Sequence, residues 1–159
     1  MTPPGAAEAA PVAPVHTWSI RVYWEDTDAG GIVYYANYLK FFERARTEWL
    51  RTLGLGQQAL RERSGGMFVV SAVEARYLRP ARLDDRLDIR TQVRELGRAS
   101  LTLHQQAWRA GDVPALLCEG TVRIGWVAGD ELRPARLPAE VAAALAGTRP
   151  TPDLSEPTP

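Results

Sequence analysis

Between Tyr35 and Leu53 the apolar residues Tyr38, Phe42, Ala45 and Trp49 recur at helical spacing, with Leu39 and Leu50 widening the stripe. The other long apolar segments follow a strand pattern instead. "WSIRVYW" (Trp18 to Trp24) alternates and is rich in aromatic and β-branched residues. "RLDIRTQVREL" sets Leu87, Ile89, Thr91 and Val93 on one face, and "GR" then allows a tight reversal into "ASLTLHQQAWR". With "MFVVSAVEARYL", which stops at Pro80, and "ALLCEGTVRIGWV", the later strands predict an antiparallel meander. A single long helix must bury its aromatic stripe against that sheet, which makes the fold class α+β.

The remaining segments fit around this core. Gly54 has the place of a helix C-cap, a short helix follows around Gln57 to Arg63, and "LPAEVAAALA" predicts a terminal helix. Arg44 and Glu48, four apart, are an expected ion pair on the exposed side of the long helix. Residues 1–16 and 147–159 are rich in proline without period and are read as disordered tails flanking one domain over 17–146. Trp108 and Trp126 fall in strands, and association through the sheet would cover its edges.

Composition removes several functions. Nineteen basic and nineteen acidic residues leave no net charge, so the whole chain is not a nucleic-acid binder. Cys118 is the only cysteine, which excludes an intrachain disulfide and a multi-cysteine metal site and suits a reducing, cytoplasmic setting. It lies in "LLCEGTVRIGW" and reads as a small core residue. No run approaches the roughly 20 apolar residues that cross a bilayer, and the first residues lack the basic start of a secretory signal.

The segment "EDTDAGGIVYYANYLKFFERAR" carries the chemistry. Asp26 and Asp28 resemble the opening of a calcium loop, but the twelfth position is Asn37, where that loop needs a glutamate. The glycines lack P-loop spacing and its Lys-Ser/Thr. Neither His16 nor His104 has a serine partner for a hydrolase triad, and His104 falls in the polar register of its strand. What remains is a carboxylate seven residues before the helix begins. Asp28 is either a turn residue or a group that attacks, or activates water against, a carbonyl polarised by the free amides at the helix start near Tyr35.

Two blocks, "RVYWEDTDAGGIVYYANYLKFFERARTEWL" and "EARYLRPARLDDRLDIRTQV", resemble the hotdog-fold acyl-CoA thioesterases of the 4-hydroxybenzoyl-CoA thioesterase and YbgC (Tol-Pal-associated) group, over about residues 18–140. The resemblance implies a long helix wrapped by an antiparallel sheet, and a homodimer or homotetramer with active sites at the dimer interface. It implies acyl-CoA as substrate, with CoA part of the substrate and no other cofactor or metal. It makes Asp28 the nucleophile or general base and the Tyr35 backbone N–H the oxyanion donor. Trp24 and the run Ile32, Val33 and Tyr34 then border the acyl group, and Arg98 and Ser100 fall where relatives contact the CoA nucleotide. YbgC-type members usually have histidine in place of Tyr35 and tyrosine in place of Trp24, so the acyl pocket and pH dependence are expected to differ. Glu43 is the second candidate for the catalytic carboxylate, otherwise a helix-face partner of Arg46. An acyl-carrier-protein thioesterase and a non-catalytic acyl-CoA-binding or envelope-associated scaffold are the competing expectations.

Overall fold

The computed structural model describes residues 13–150, so most of both proline-rich segments (1–12 and 151–159) lies outside the described residues. Strands β1 (Val15–Arg21), β2 (Gly66–Tyr77), β3 (Arg86–Leu96), β4 (Ser100–Arg109) and β5 (Ala115–Ala128) form one antiparallel sheet in the order β1-β3-β4-β5-β2. A two-residue strand, β6 (Arg133–Pro134), adds to the end of β5. The helices are α1 (Asn37–Thr52), α2 (Gln57–Ser64) and α3 (Ala139–Ala146). This is the expected α+β hotdog arrangement, and the β3-β4-β5 meander is present with short reversals. No helix among the described residues is long and apolar enough to cross a membrane.

Several boundaries differ from the sequence reading. The first strand begins at Val15 and ends at Arg21, and Trp24–Asp26 is a 3-10 turn. Residues 13–16, expected in the disordered tail, join the fold: Ala13 is buried, and its carbonyl accepts a hydrogen bond from Gln92 Nε2 at 2.8 Å. The helix begins at Asn37, two residues beyond Tyr35. At the other end, Thr148 is buried and caps the last turn through its hydroxyl, which donates to the Leu145 carbonyl.

The helical stripe is buried as its spacing requires, except that Leu39, expected to widen it, is exposed and Phe41 takes that place. Tyr38, Phe41, Phe42, Ala45, Trp49 and Leu50 face the sheet, with Leu87, Ile89, Leu103 and Val122 rising to meet them. The packing leaves no room for a side chain at Gly120, where a Cβ would lie 2.6 Å from the Glu74 carbonyl and 3.4 Å from Phe42 Cε2. Trp126 points into this core, whereas Trp108 lies on the outer face with Arg90 stacked 4.6 Å above its ring. Cys118 is fully buried, as a core hydrophobe.

One polar group crosses the layer. Arg46 is buried, and its Nη1 donates to Gln105 Oε1 at 2.9 Å, while Gln105 Nε2 donates to the Phe42 carbonyl and Thr91 Oγ1. Removing one member strands the others in the core. Gln105→Leu is therefore expected to cost about 2–3 kcal/mol, read from urea unfolding. On the exposed side Glu48 pairs with Arg51 rather than with Arg44.

Candidate active site

A small hairpin carries Asp28. Thr27 and Val33 form a bridge; the Asp28 N–H donates to the Ile32 carbonyl at 2.9 Å, and the Tyr34 N–H to the Asp26 carbonyl at 2.9 Å. The turn closes through the Gly31 N–H to the Asp28 carbonyl at 3.0 Å. Gly31 stands at φ +75°, where a side chain would be strained. Asp is favoured at the first position of such a turn, and Oδ1 of Asp28 accepts the Gly30 N–H at 2.8 Å. The turn reading of Asp28 is therefore correct as far as Oδ1 goes. Oδ2 makes no hydrogen bond among the described residues, and the side chain is exposed.

Past the hairpin the chain turns into α1. The Asn37 N–H donates to the Tyr34 carbonyl and the Tyr38 N–H to the Tyr35 carbonyl, so the N–H groups of Tyr35 and Ala36 open this turn. Neither makes a hydrogen bond among the described residues. Two unpaired donors thus stand at the positive end of the helix. Tyr35 follows Ile32 by three residues, so their Cα atoms are within about 11 Å, and Ile32 is the backbone partner of Asp28.

Beside this turn lies an apolar cavity of about 290 Å³, lined by Ile32, Val33, Tyr35, Tyr38, Tyr77 and Leu78, with Arg79 and Pro80 at its border. Its rings meet edge-on or tilted: Tyr35 and Tyr77 centroids are 5.9 Å apart, Tyr38 and Tyr77 5.7 Å. The Tyr38 hydroxyl accepts the Ala81 N–H, and burial pushes the phenol up to about 12. It therefore stays a neutral hydrogen-bonding group at neutral pH.

The structure gathers Asp28, Ile32, Val33 and Tyr35 at one end of the sheet. Tyr34 is exposed and packs edge-on to Tyr35 at 5.0 Å without lining the cavity. Trp24 is 80% exposed and borders a separate hollow with Tyr23, Glu25, Leu83 and Asp84. Arg98 and Ser100 lie at the opposite end, in the β3–β4 reversal, where Ser100 Oγ accepts from Arg123. Within one chain they do not meet Asp28. Glu43 accepts from Arg46 Nη2 at 3.2 Å and from Thr47 Oγ1 at 2.9 Å, as a helix-face partner.

Two residues of this end escaped the sequence reading. Asp26, which resembles the opening of a calcium loop in sequence, instead anchors the hairpin: its Oδ2 accepts the Tyr23 N–H at 2.8 Å and its carbonyl is doubly engaged. Asn37, noticed only for failing the calcium pattern, donates from Nδ2 to that carbonyl at 2.9 Å. An asparagine at a helix start is ordinary, so residue type alone carried no signal for this bond. Among the described residues no group of three or more His, Cys, Asp or Glu side chains is arranged to hold a metal ion.

The histidines stand apart from this end. His104 lies on the outer sheet face, 3.6 Å from Glu119. Burial, with Arg94 adding to it and Glu119 opposing, holds its pKa below the ordinary value; burial does the same for His16 against the pull of Glu48. Below about pH 6.5 the unfolded chain takes up protons that the folded chain resists, so stability falls as pH drops through that range. Thermal midpoints should be lower at pH 5.5 than at pH 7.5, and the double variant His16→Asn, His104→Asn should flatten that slope.

The thioesterase-like superfamily profile matches residues 22–145. The chain belongs to that superfamily. The acyl-CoA thioesterase YbgC of Haemophilus influenzae is 44% identical over 129 residues, covering 81% of this chain and 93% of that protein. The acyl-CoA thioester hydrolase YbgC of Escherichia coli O157:H7 is 43% identical over 126 residues, covering 79% and 92%. Among solved structures, the probable thioesterase of Bartonella henselae superposes with TM-score 0.73 at 37% identity, over 79% of this chain and all of that one. Its similarity over most of their length to thioester hydrolases places the chain among these enzymes and gives the hairpin, the open turn and the cavity a common context.

Proposed function

We propose that this thioesterase hydrolyses acyl-CoA to a carboxylate and free CoA, with Asp28 and the Tyr35 N–H as its working groups. The observation that carries this reading is a half-satisfied Asp28 carboxylate on a hairpin that leads, through its partner Ile32, to an unbonded Tyr35 amide and to the apolar cavity that Ile32 and Tyr35 line. A thioester carbonyl oxygen received by the Tyr35 N–H gains a donor just where negative charge grows during attack. Oδ2 of Asp28 then attacks the carbonyl carbon, giving an anhydride that water opens, or takes a proton from an attacking water. In both routes the C–S bond breaks and the sulfur leaves as CoA thiol once protonated. Ile32, Tyr35, Tyr38 and Tyr77 border the acyl group.

The active unit is a homodimer on this reading. β2 is a 12-residue edge strand, and Val70, Val73 and Tyr77 on it are exposed. Such an edge is normally covered. Two-fold antiparallel pairing of β2 with its copy sets the Tyr77 end of one chain beside the Gly66 end of the other. The β3–β4 reversal lies toward that Gly66 end, since Ser100 pairs with Gly125 and Gly66 with Ala128. Pairing therefore carries Arg98 and Ser100 of one chain toward Asp28 of the other, which is where a CoA phosphate would need them. The lone reduced thiol suits the cytoplasm.

Steady-state hydrolysis across short, long and aromatic acyl-CoAs, followed by thiol release, tests the reading. Turnover of at least one class supports it. Inert CoA esters with cleavage of acyl-carrier protein would move the substrate to the carrier, and binding without thiol release would make the protein a scaffold.

A further inference from the structure

We propose that Asn37 is a positioning residue for this reaction, fixing Asp28 relative to the Tyr35 N–H; the inference rests on the site reading just given. The side chain is buried, 8% exposed, and its Nδ2 donates to the Asp26 carbonyl at 2.9 Å. That same oxygen accepts the Tyr34 N–H at 2.9 Å, while the Asn37 N–H donates to the Tyr34 carbonyl at 2.8 Å. Asn37 thus grips both arms, by its backbone the one that leads to Tyr35 and by its side chain the one that leads to Asp28. Asp26 is held from the other side by its carboxylate on the Tyr23 N–H and its own N–H on the Tyr23 carbonyl. Asp28 follows two residues later on this anchored backbone.

The helix itself has no use for this amide. Asn37 is the first residue of α1, and its side chain turns back to the hairpin instead of capping an N–H of the helix. Its contribution falls on the geometry between two groups that must act on one carbonyl from different sides. Misplacement by about 1 Å can cost roughly 10²-fold in rate. Loss of the Nδ2 donor should therefore appear in kcat, with substrate affinity largely kept.

Asn37→Asp keeps the shape, removes the donor and sets an acceptor against the Asp26 carbonyl. Asn37→Ser keeps a donor on a shorter arm. We expect Asn37→Asp to lower kcat by about 10- to 100-fold with KM within about threefold, and Asn37→Ser to recover part of that loss. Gln105→Leu, a buried hydrogen-bond variant in the core, supplies the control: it should lower the melting temperature at least as much yet leave kcat within about twofold. Asp28→Asn is run beside them. If Asp28→Asn is inactive while Asn37→Asp turns over normally, the positioning role is wrong. If kcat falls in proportion to melting temperature in both the Asn37 and Gln105 variants, Asn37 is merely structural and the proposal again fails. If Asp28→Asn keeps its activity, the site reading itself falls, a different and recognisable result.

Discussion

Asp28→Asn is expected to lower kcat by roughly 10²-fold or more, the scale of losing a positioned nucleophile or base. Folding and assembly should be unaffected, because the exposed side chain holds the fold only through the Gly30 N–H on Oδ1. An asparagine amide presents an oxygen to that N–H and so keeps the turn; it replaces the unbonded Oδ2 with a donor that can neither attack nor take a proton. KM should stay near the parent value, since the lost interaction acts in the transition state. Single-turnover thiol release with matched melting curves makes the measurement. Activity within a few-fold of the parent would place the carboxylate elsewhere, and Glu43→Gln would be the next variant, expected otherwise to reduce only the helix-face contacts with Arg46 and Thr47.

Val73→Asp should have the second large effect. Val73 is half-exposed on β2, on the face that a paired copy would cover. A carboxylate there has no partner once desolvated, and a penalty of about 3–4 kcal/mol raises the dimer dissociation constant roughly 10²- to 10³-fold. If Arg98 and Ser100 reach Asp28 only across that pairing, activity per chain should collapse on dilution and return on concentration. Sedimentation velocity alongside rate measurements over a dilution series separates the cases. A monomeric Val73→Asp with full turnover would show that one chain is sufficient.

The parts of the fold that follow a period were legible in the residues. Leu87, Ile89, Thr91 and Val93 set the face and limits of β3, and Tyr38, Phe42, Ala45 and Trp49 set the buried side of α1. The ends of elements were less legible where apolar residues run on. Tyr35 continues the run from Ile32, so nothing in composition separates the turn that opens at Tyr35 from the helix that begins at Asn37. Trp24 alternates like a strand residue, yet the Asp26 carboxylate captures the Tyr23 N–H and winds the chain into a 3-10 turn. The Asp26 carbonyl left no trace in residue type, because a main-chain acceptor is the same in every amino acid. Arg98 and Ser100 illustrate a further limit: their distance from Asp28 comes from an 11-residue strand running the length of the sheet, a matter of topology and not of local pattern.

Cys118 also bears on how the enzyme can be watched. Buried completely, with its thiol pushed up to about 12, it offers almost no thiolate to solvent. A colorimetric disulfide reagent added to the native protein should therefore stay blank, and every equivalent of colour formed with substrate present would count one product sulfhydryl.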